Sequence, residues 1–215
     1  MIRLRKTYPA PKSLKAKTSY NGEDVIGQLM EDHHHKCYLC EKTVTTDFQV
    51  EHHCSVDGCA AKAYAWSNLL LACSYCNGKK GNRFDHILHP CNNNIEDLIS
   101  IIPDFSRKKV QITSSCDLSG ISDTILLLDR IHNGTVCGMR TIREDEFYRL
   151  FRKEIHDFIK ALREYKEKED SQALSALKEY LCMDRQFLGA KFSILKKDAP
   201  DILNKLTKTV KWNRK

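Results

Sequence analysis

The chain has 215 residues, 41% of them hydrophobic, and a formal net charge of +7; that apolar share builds a core and excludes wholesale disorder. Its length suits one domain of moderate size, or a small module joined to a larger one. No stretch approaches the roughly 18 uncharged apolar residues that span a bilayer, and no apolar signal segment follows Arg3, Arg5 and Lys6, so a cytoplasmic protein off the membrane is expected.

Residues 1–20 hold six lysines and arginines and no acid, with Pro9 and Pro11 and no helical period. This reads as an extended arm, ordered only where something holds it. The other end, "LTKTVKWNRK", is also basic. Both ends can attract phosphates non-specifically; solvated charge is the plain alternative. A helix is expected from Asn21, with Val25, Ile26, Leu29 and Met30 on one face. The run His33–His35 has metal-binding composition, but it stands beside a complete cysteine set that explains a metal better.

Ten cysteines without a secretion signal point to metal rather than disulfides, and four of them form two Cys-x-x-Cys pairs, Cys37/Cys40 and Cys73/Cys76. Each pair closes a small turn presenting two thiolates to one side, which suits a tetrahedral structural zinc. The others (Cys54, Cys59, Cys91, Cys116, Cys137, Cys182) are expected reduced and partly buried, as small apolar residues. The 32 residues between Cys40 and Cys73 exceed the roughly 15 to 20 of an ordinary zinc ribbon. That insertion holds the acid-histidine cluster Glu51-His52-His53, so the zinc is a staple beside a site. "TDFQVEHH" alternates like a strand, "SVDGC" contains a turn signal, and Trp66 to Cys73 reads as a strand or buried segment. A helix or loop follows Cys76, and His86-x-x-His89 reads as surface or packing.

Beyond Pro90 the chemistry thins out. Residues 91–140 read as short apolar runs and turns, with "VQI" a short strand. Residues 141–169 are helical, because Phe147, Phe151, Ile155, Phe158, Leu162 and Tyr165 step by three or four. Further helices are expected at about 171–182 and from Pro200 onward. The fold class is therefore α+β and mainly helical, divided as a basic arm and short helix (1–30), a chemical core (31–95) and a helical region (96–215).

Cys37-x-x-Cys40, Glu51-His52, Asn68-Leu-Leu, Cys73-x-x-Cys76-Asn77 and Lys80-Gly81 together resemble the HNH endonuclease family, in its zinc-stapled ββα-metal form. The resemblance implies a nuclease with a catalytic Mg2+ or Mn2+ held by Glu51 and Asn77. It implies His52 as general base, a role that a near-neutral imidazole suits. It implies that Asn68 ties the loop carrying the base, and that Lys79, Lys80 and Arg83 face nucleic acid. Some family members instead use two consecutive histidines, which would make His52 the ligand and His53 the base. The family's proline three residues after the base is missing here, so both registers stand. The alternative to a nuclease is a zinc-stapled module that binds nucleic acid or protein without cutting.

The basic arm, the core "NLLLACSYCNGKKGN" and the helical half with "TILLLDR" are also similar in layout to the PtuB family, the nuclease subunits of Septu-type and retron-associated antiphage defence. That likeness implies nucleic acid (DNA, or RNA) as substrate and a PtuA-like ABC/SMC-type ATPase as partner. A retron reverse transcriptase with its msDNA would be a further partner. No Walker motif is present in the sequence, so ATP dependence would come from the partner. The helical half carries no catalytic candidate and is expected to offer it a docking face.

Overall fold

The computed structural model describes residues 1–136 and 139–207. The expectations for Cys137 and for the basic residues after Thr207 lie outside them. The described chain is α+β, with two small antiparallel hairpins set among helices.

The arm is held along its first part. Met1, Ile2 and Leu4 are buried, Leu4 N donates to Pro90 O at 3.0 Å, and Arg3 N donates to Glu96 Oε2 at 2.9 Å. Lys6 Nζ reaches the carbonyls of Trp66 and Leu69 and lies 3.4 Å from the Trp66 ring centroid. A short turn, α1 (Lys12–Lys15), leads to α2 (Glu23–Asp32), which buries Val25 and Leu29.

The first hairpin pairs β1 (Gln49–His52) with β2 (Leu69–Ala72) in the register Gln49↔Ala72 to His52↔Leu69. Every β2 side chain is buried, whereas β1 is only partly covered. Between the strands runs a loop with the short helix α3 (Ala60–Ala63). β2 leads through Cys73 into α4 (Ser74–Lys80), which packs against β1. Gly81 ends α4 at φ 50°, ψ −153°, a conformation essentially restricted to glycine. That is the physical reason for glycine after Lys80.

After α5 (Ile95–Leu98) comes the second hairpin, β3 (Ser100–Asp104) with β4 (Lys109–Thr113). The helix α6 (Ile121–Asn133) lies where the sequence pattern suggested turns. It docks closely: a Cβ on Gly120 would sit 2.3 Å from His86 O, and Thr124 Oγ1 accepts Leu88 N at 2.8 Å. The long helix α7 (Ile142–Lys168) spans 27 residues, about 40 Å at 1.5 Å per residue. It starts with a capping box, Thr141 and Glu144 each bonding the other's backbone. All six expected stripe residues, Phe147 to Tyr165, are buried.

α8 (Ser171–Glu179), α9 (Leu188–Asp198) and α10 (Pro200–Thr207) complete the described chain. α9 is buried from Leu188 to Leu195, including Lys191, whose Nζ pairs with Glu154 Oε1 at 2.6 Å. Among the described residues no helix is long and apolar enough to cross a membrane.

Candidate active site

The two Cys-x-x-Cys turns converge. The four sulfurs of Cys37, Cys40, Cys73 and Cys76 all lie within 4.8 Å of one another, and all four residues are buried. Cys40 Sγ and Cys73 Sγ are 3.9 Å apart; a tetrahedron with metal–sulfur bonds of ~2.3 Å has edges of about 3.8 Å. Tyr38 N donates to Leu71 O at 2.9 Å, tying the first turn to β2, while the second turn opens α4. Burial pushes the Cys40 and Cys76 thiols up, and hydrogen bonds from the other three sulfurs, Cys37 first, hold Cys73 down. The arrangement suits zinc, which would be bound by four thiolates and lock the hairpin to α4. It is the one such His/Cys/Asp/Glu group among the described residues, so the buried His33 joins none. The remaining described cysteines are free, but Cys59, Cys116 and Cys182 are exposed, correcting the expectation that all were partly buried.

Beside this staple the strand delivers its acid and histidines to different surroundings. Glu51 points to α4, where Lys80 Nζ lies 2.8 Å from Oε1. Burial raises the Glu51 carboxyl above its usual range, with Lys80 pulling the other way. One helical turn earlier, Asn77 Nδ2 donates to Gln49 Oε1 at 2.5 Å, so Gln49 takes the amide nitrogen and not the amide oxygen. A carboxylate and an amide oxygen are the donors a hard divalent ion accepts, so Glu51 and Asn77 fit the expected metal in donor chemistry.

His52 is half-buried, and its Nε2 lies 3.1 Å from Ala63 O at the end of α3. A carbonyl can only accept, so Nε2 is the donor in this contact, and in the neutral tautomer that goes with it Nδ1 keeps its lone pair. The loop providing that carbonyl is clasped by Asn68: its Oδ1 accepts Cys54 N at 2.8 Å, and its Nδ2 donates to Cys54 O and Lys62 O at 3.0 and 3.1 Å. Tyr20 packs on His52 with ring centroids 4.9 Å apart and lines a cavity of about 370 Å³ shared with Gln49 and Asn77. Tyr20 carries no motif, and sequence reasoning missed it.

His53 sits elsewhere. It is 5% exposed, its backbone N donates to Asn68 O at 2.8 Å, and its ring packs on His89 at 4.5 Å. Burial, followed by the charges of His89 and Lys80, pushes its pKa down to about 4.

The basic trio is not a single face. Lys80 is 1% exposed, bonded to Glu51, to His52 O at 3.1 Å and near Asp85 at 3.7 Å, so the surface position expected for it does not hold. Lys79 pairs with the buried Glu144 of α7. Arg83 is exposed and shares a cavity with Arg130 and Arg143. His89, expected as surface or packing, is half-buried and bonds Ser67 O through Nε2 at 2.9 Å.

The comparisons with known proteins agree with this core. Residues 37–83 match the HNH endonuclease family model, a stretch that begins at the first knuckle and ends three residues past Lys80. The chain thus carries an HNH endonuclease domain within a longer helical framework. No curated protein and no solved structure matches the chain.

Proposed function

We propose that the HNH domain is the catalytic core of a metal-dependent endonuclease that hydrolyses phosphodiester bonds, DNA in the first place. The observation that carries this reading is the His52–Ala63 contact inside a loop clasped by Asn68. A base must be held in one tautomer with its lone pair free, and this loop supports that state. His52 Nδ1 then takes the proton of the attacking water. Burial of the His53 ring speaks for the Glu51/His52 register over the double-histidine one. Glu51 and Asn77 would hold Mg2+ or Mn2+, which when bound supplies positive charge to the scissile phosphate and leaving oxygen.

The test is cleavage of plasmid DNA and of RNA by purified protein with Mg2+, Mn2+ or EDTA, alongside Glu51→Ala. Metal-dependent cutting lost in the variant is expected; no cutting under any condition, with or without an ATPase partner, would refute it. One observation favours a second reading, a zinc-stapled binding module that does not cut. Lys80 already sets an ammonium on Glu51, where a metal would otherwise neutralise the carboxylate.

We further propose that the enzyme is a cytoplasmic effector of antiphage defence of the Septu or retron-associated kind, working with an ABC/SMC-type ATPase. Besides the layout of the chain, exposed apolar side chains leading into the first turn of α7 support a docked partner: Val136, Met139 and Ile142 are 58%, 71% and 85% exposed. Co-purification with the ATPase, weakened by Ile142→Asp, is the expected result.

A further inference from the structure

Against the loop that follows His52 lies a cavity of about 580 Å³ with an unusual wall. The arm supplies Arg3, Arg5, Lys6 and Tyr8 on one side, and His53 and His89 stand on the other. None of the lining residues is acidic. The volume falls within the roughly 300 to 1,000 Å³ of ordinary small-ligand sites. His53 is almost wholly buried, yet its Nε2 has no hydrogen-bond partner. Leaving such a nitrogen unpaired costs about 1–3 kcal/mol, so a buried orphan of this kind calls for a partner that enters from the cavity. Its neighbour needs none: His89 Nε2 bonds Ser67 O at 2.9 Å, and Nδ1 accepts Cys91 N at 3.1 Å.

Arginine side chains match the oxygens of a phosphate, which guanidinium groups bind in bidentate fashion; His53 Nε2 donates to one when Cys54 Sγ, 3.7 Å from Nδ1, gives its hydrogen to Nδ1 and leaves the ring hydrogen on Nε2. Lys6 stands at a fixed place, its Nζ anchored on the carbonyls of Trp66 and Leu69; burial lowers its pKa to about 7, and a bound anion would favour its charged form. The cavity is also tied to the catalytic loop, because His53 follows His52 directly and Asn68, the loop's clasp, lines it. The His52 ring, however, turns away to Ala63 and Tyr20. A phosphate in the cavity is therefore not the one being cut.

We propose that this cavity is a phosphate subsite, holding a phosphate group beside, and not at, the scissile position. This rests on the nuclease reading for its purpose but not for its measurement. The phosphate belongs either to the substrate strand or to a free phosphate-bearing nucleotide, and the chemistry of recognition is the same.

The test is binding without added Mg2+ or Mn2+ and without a chelator, so that the zinc staple stays in place and the nuclease reading expects no cutting. Full-length protein labelled with 15N in its histidines is titrated with inorganic phosphate, adenosine monophosphate and a DNA dodecamer, following the His53 and His89 ring signals. The same affinities are measured for Arg5→Glu, a substitution at an exposed position, with the fold checked by circular dichroism. Movement of the His53 signal, with affinity reduced about tenfold or more in the variant, supports the subsite. Response to the dodecamer alone assigns the phosphate to the strand. Response to the small probes, with the dodecamer displaced by them, assigns it to a free nucleotide. Ring signals unmoved by all three probes, or equal affinities in Arg5→Glu and the parent protein, would overturn the proposal. Either result stands whether or not the protein cleaves.

Discussion

The HNH domain and the helical framework around α7 are held together by different physics. Residues 37–83 contain only two four-residue strands and four short helical segments, and their polar side chains are tied down: Lys80 to Glu51, Asn68 to the main chain of Cys54 and Lys62, and four sulfurs gathered within 4.8 Å of one another. Around α7 the interior is apolar, with Phe147, Phe151, Phe187 and His132 in mutual ring contact. A site proposed to hold an ion, a base and a phosphate cannot be built from close-packed hydrocarbon, and this domain is organised instead by a four-cysteine cluster and by hydrogen bonds. The framework carries no such duty and is free to maximise burial.

That contrast predicts which perturbation breaks which region. The largest effect falls on zinc: chelation, or Cys73→Ser, removes a bond network worth ~10 kcal/mol or more in small zinc modules. Hydrogen exchange should then rise first across residues 37–83 while α7 stays protected; uniform loss of protection would merge the two regions. Phe151→Ala should cost about 3–5 kcal/mol of global stability through its cavity, visible as a lowered thermal midpoint with zinc content unchanged. Asn68→Ala should slow cleavage by about 100-fold, the scale of a slightly misplaced catalytic group, with a far smaller change in stability.

Glu144→Gln probes the seam, because Glu144 holds both the α7 cap and Lys79 of α4. Its loss should cost about 1–2 kcal/mol. Burial raises this carboxyl, yet Lys79 and the Thr141 bonds outweigh that and hold its pKa at about 2, against an ordinary 4.5. The folded state thus binds the proton less readily than the unfolded one. Its stabilisation is fully present above about pH 4.5 and fades as pH falls toward 2. The variant should lose that part of the acid dependence in a denaturation series.

Much of both regions was readable before the fold was known, and the misses share a cause. The α7 stripe was legible because one face is buried and the other charged, giving a 3.6-residue period. α9 was not, because Leu188 to Leu195 are buried on every side, Lys191 included, and a helix without an exposed face shows no period. Cys37, Cys40, Cys73 and Cys76 declared themselves by spacing. Glu51, His52, Asn68 and Asn77 did so by order, although their roles as ligand, base and clasp rest on the family likeness. Lys80 looked like surface charge because a lysine usually is; nothing local announces that Glu51 lies opposite it. Tyr20 and His89 reach the site only through tertiary folding, so no spacing could have found them.

His52 is the group proposed to take the proton. The most direct measurement is single-turnover cleavage of DNA at saturating protein and Mg2+ by His52→Ala, with zinc content and circular dichroism checked on the same sample. A loss of about 100-fold or more, partly restored by added imidazole, with zinc and fold intact, is the predicted result. Cleavage by His52→Ala at the parent rate would contradict it.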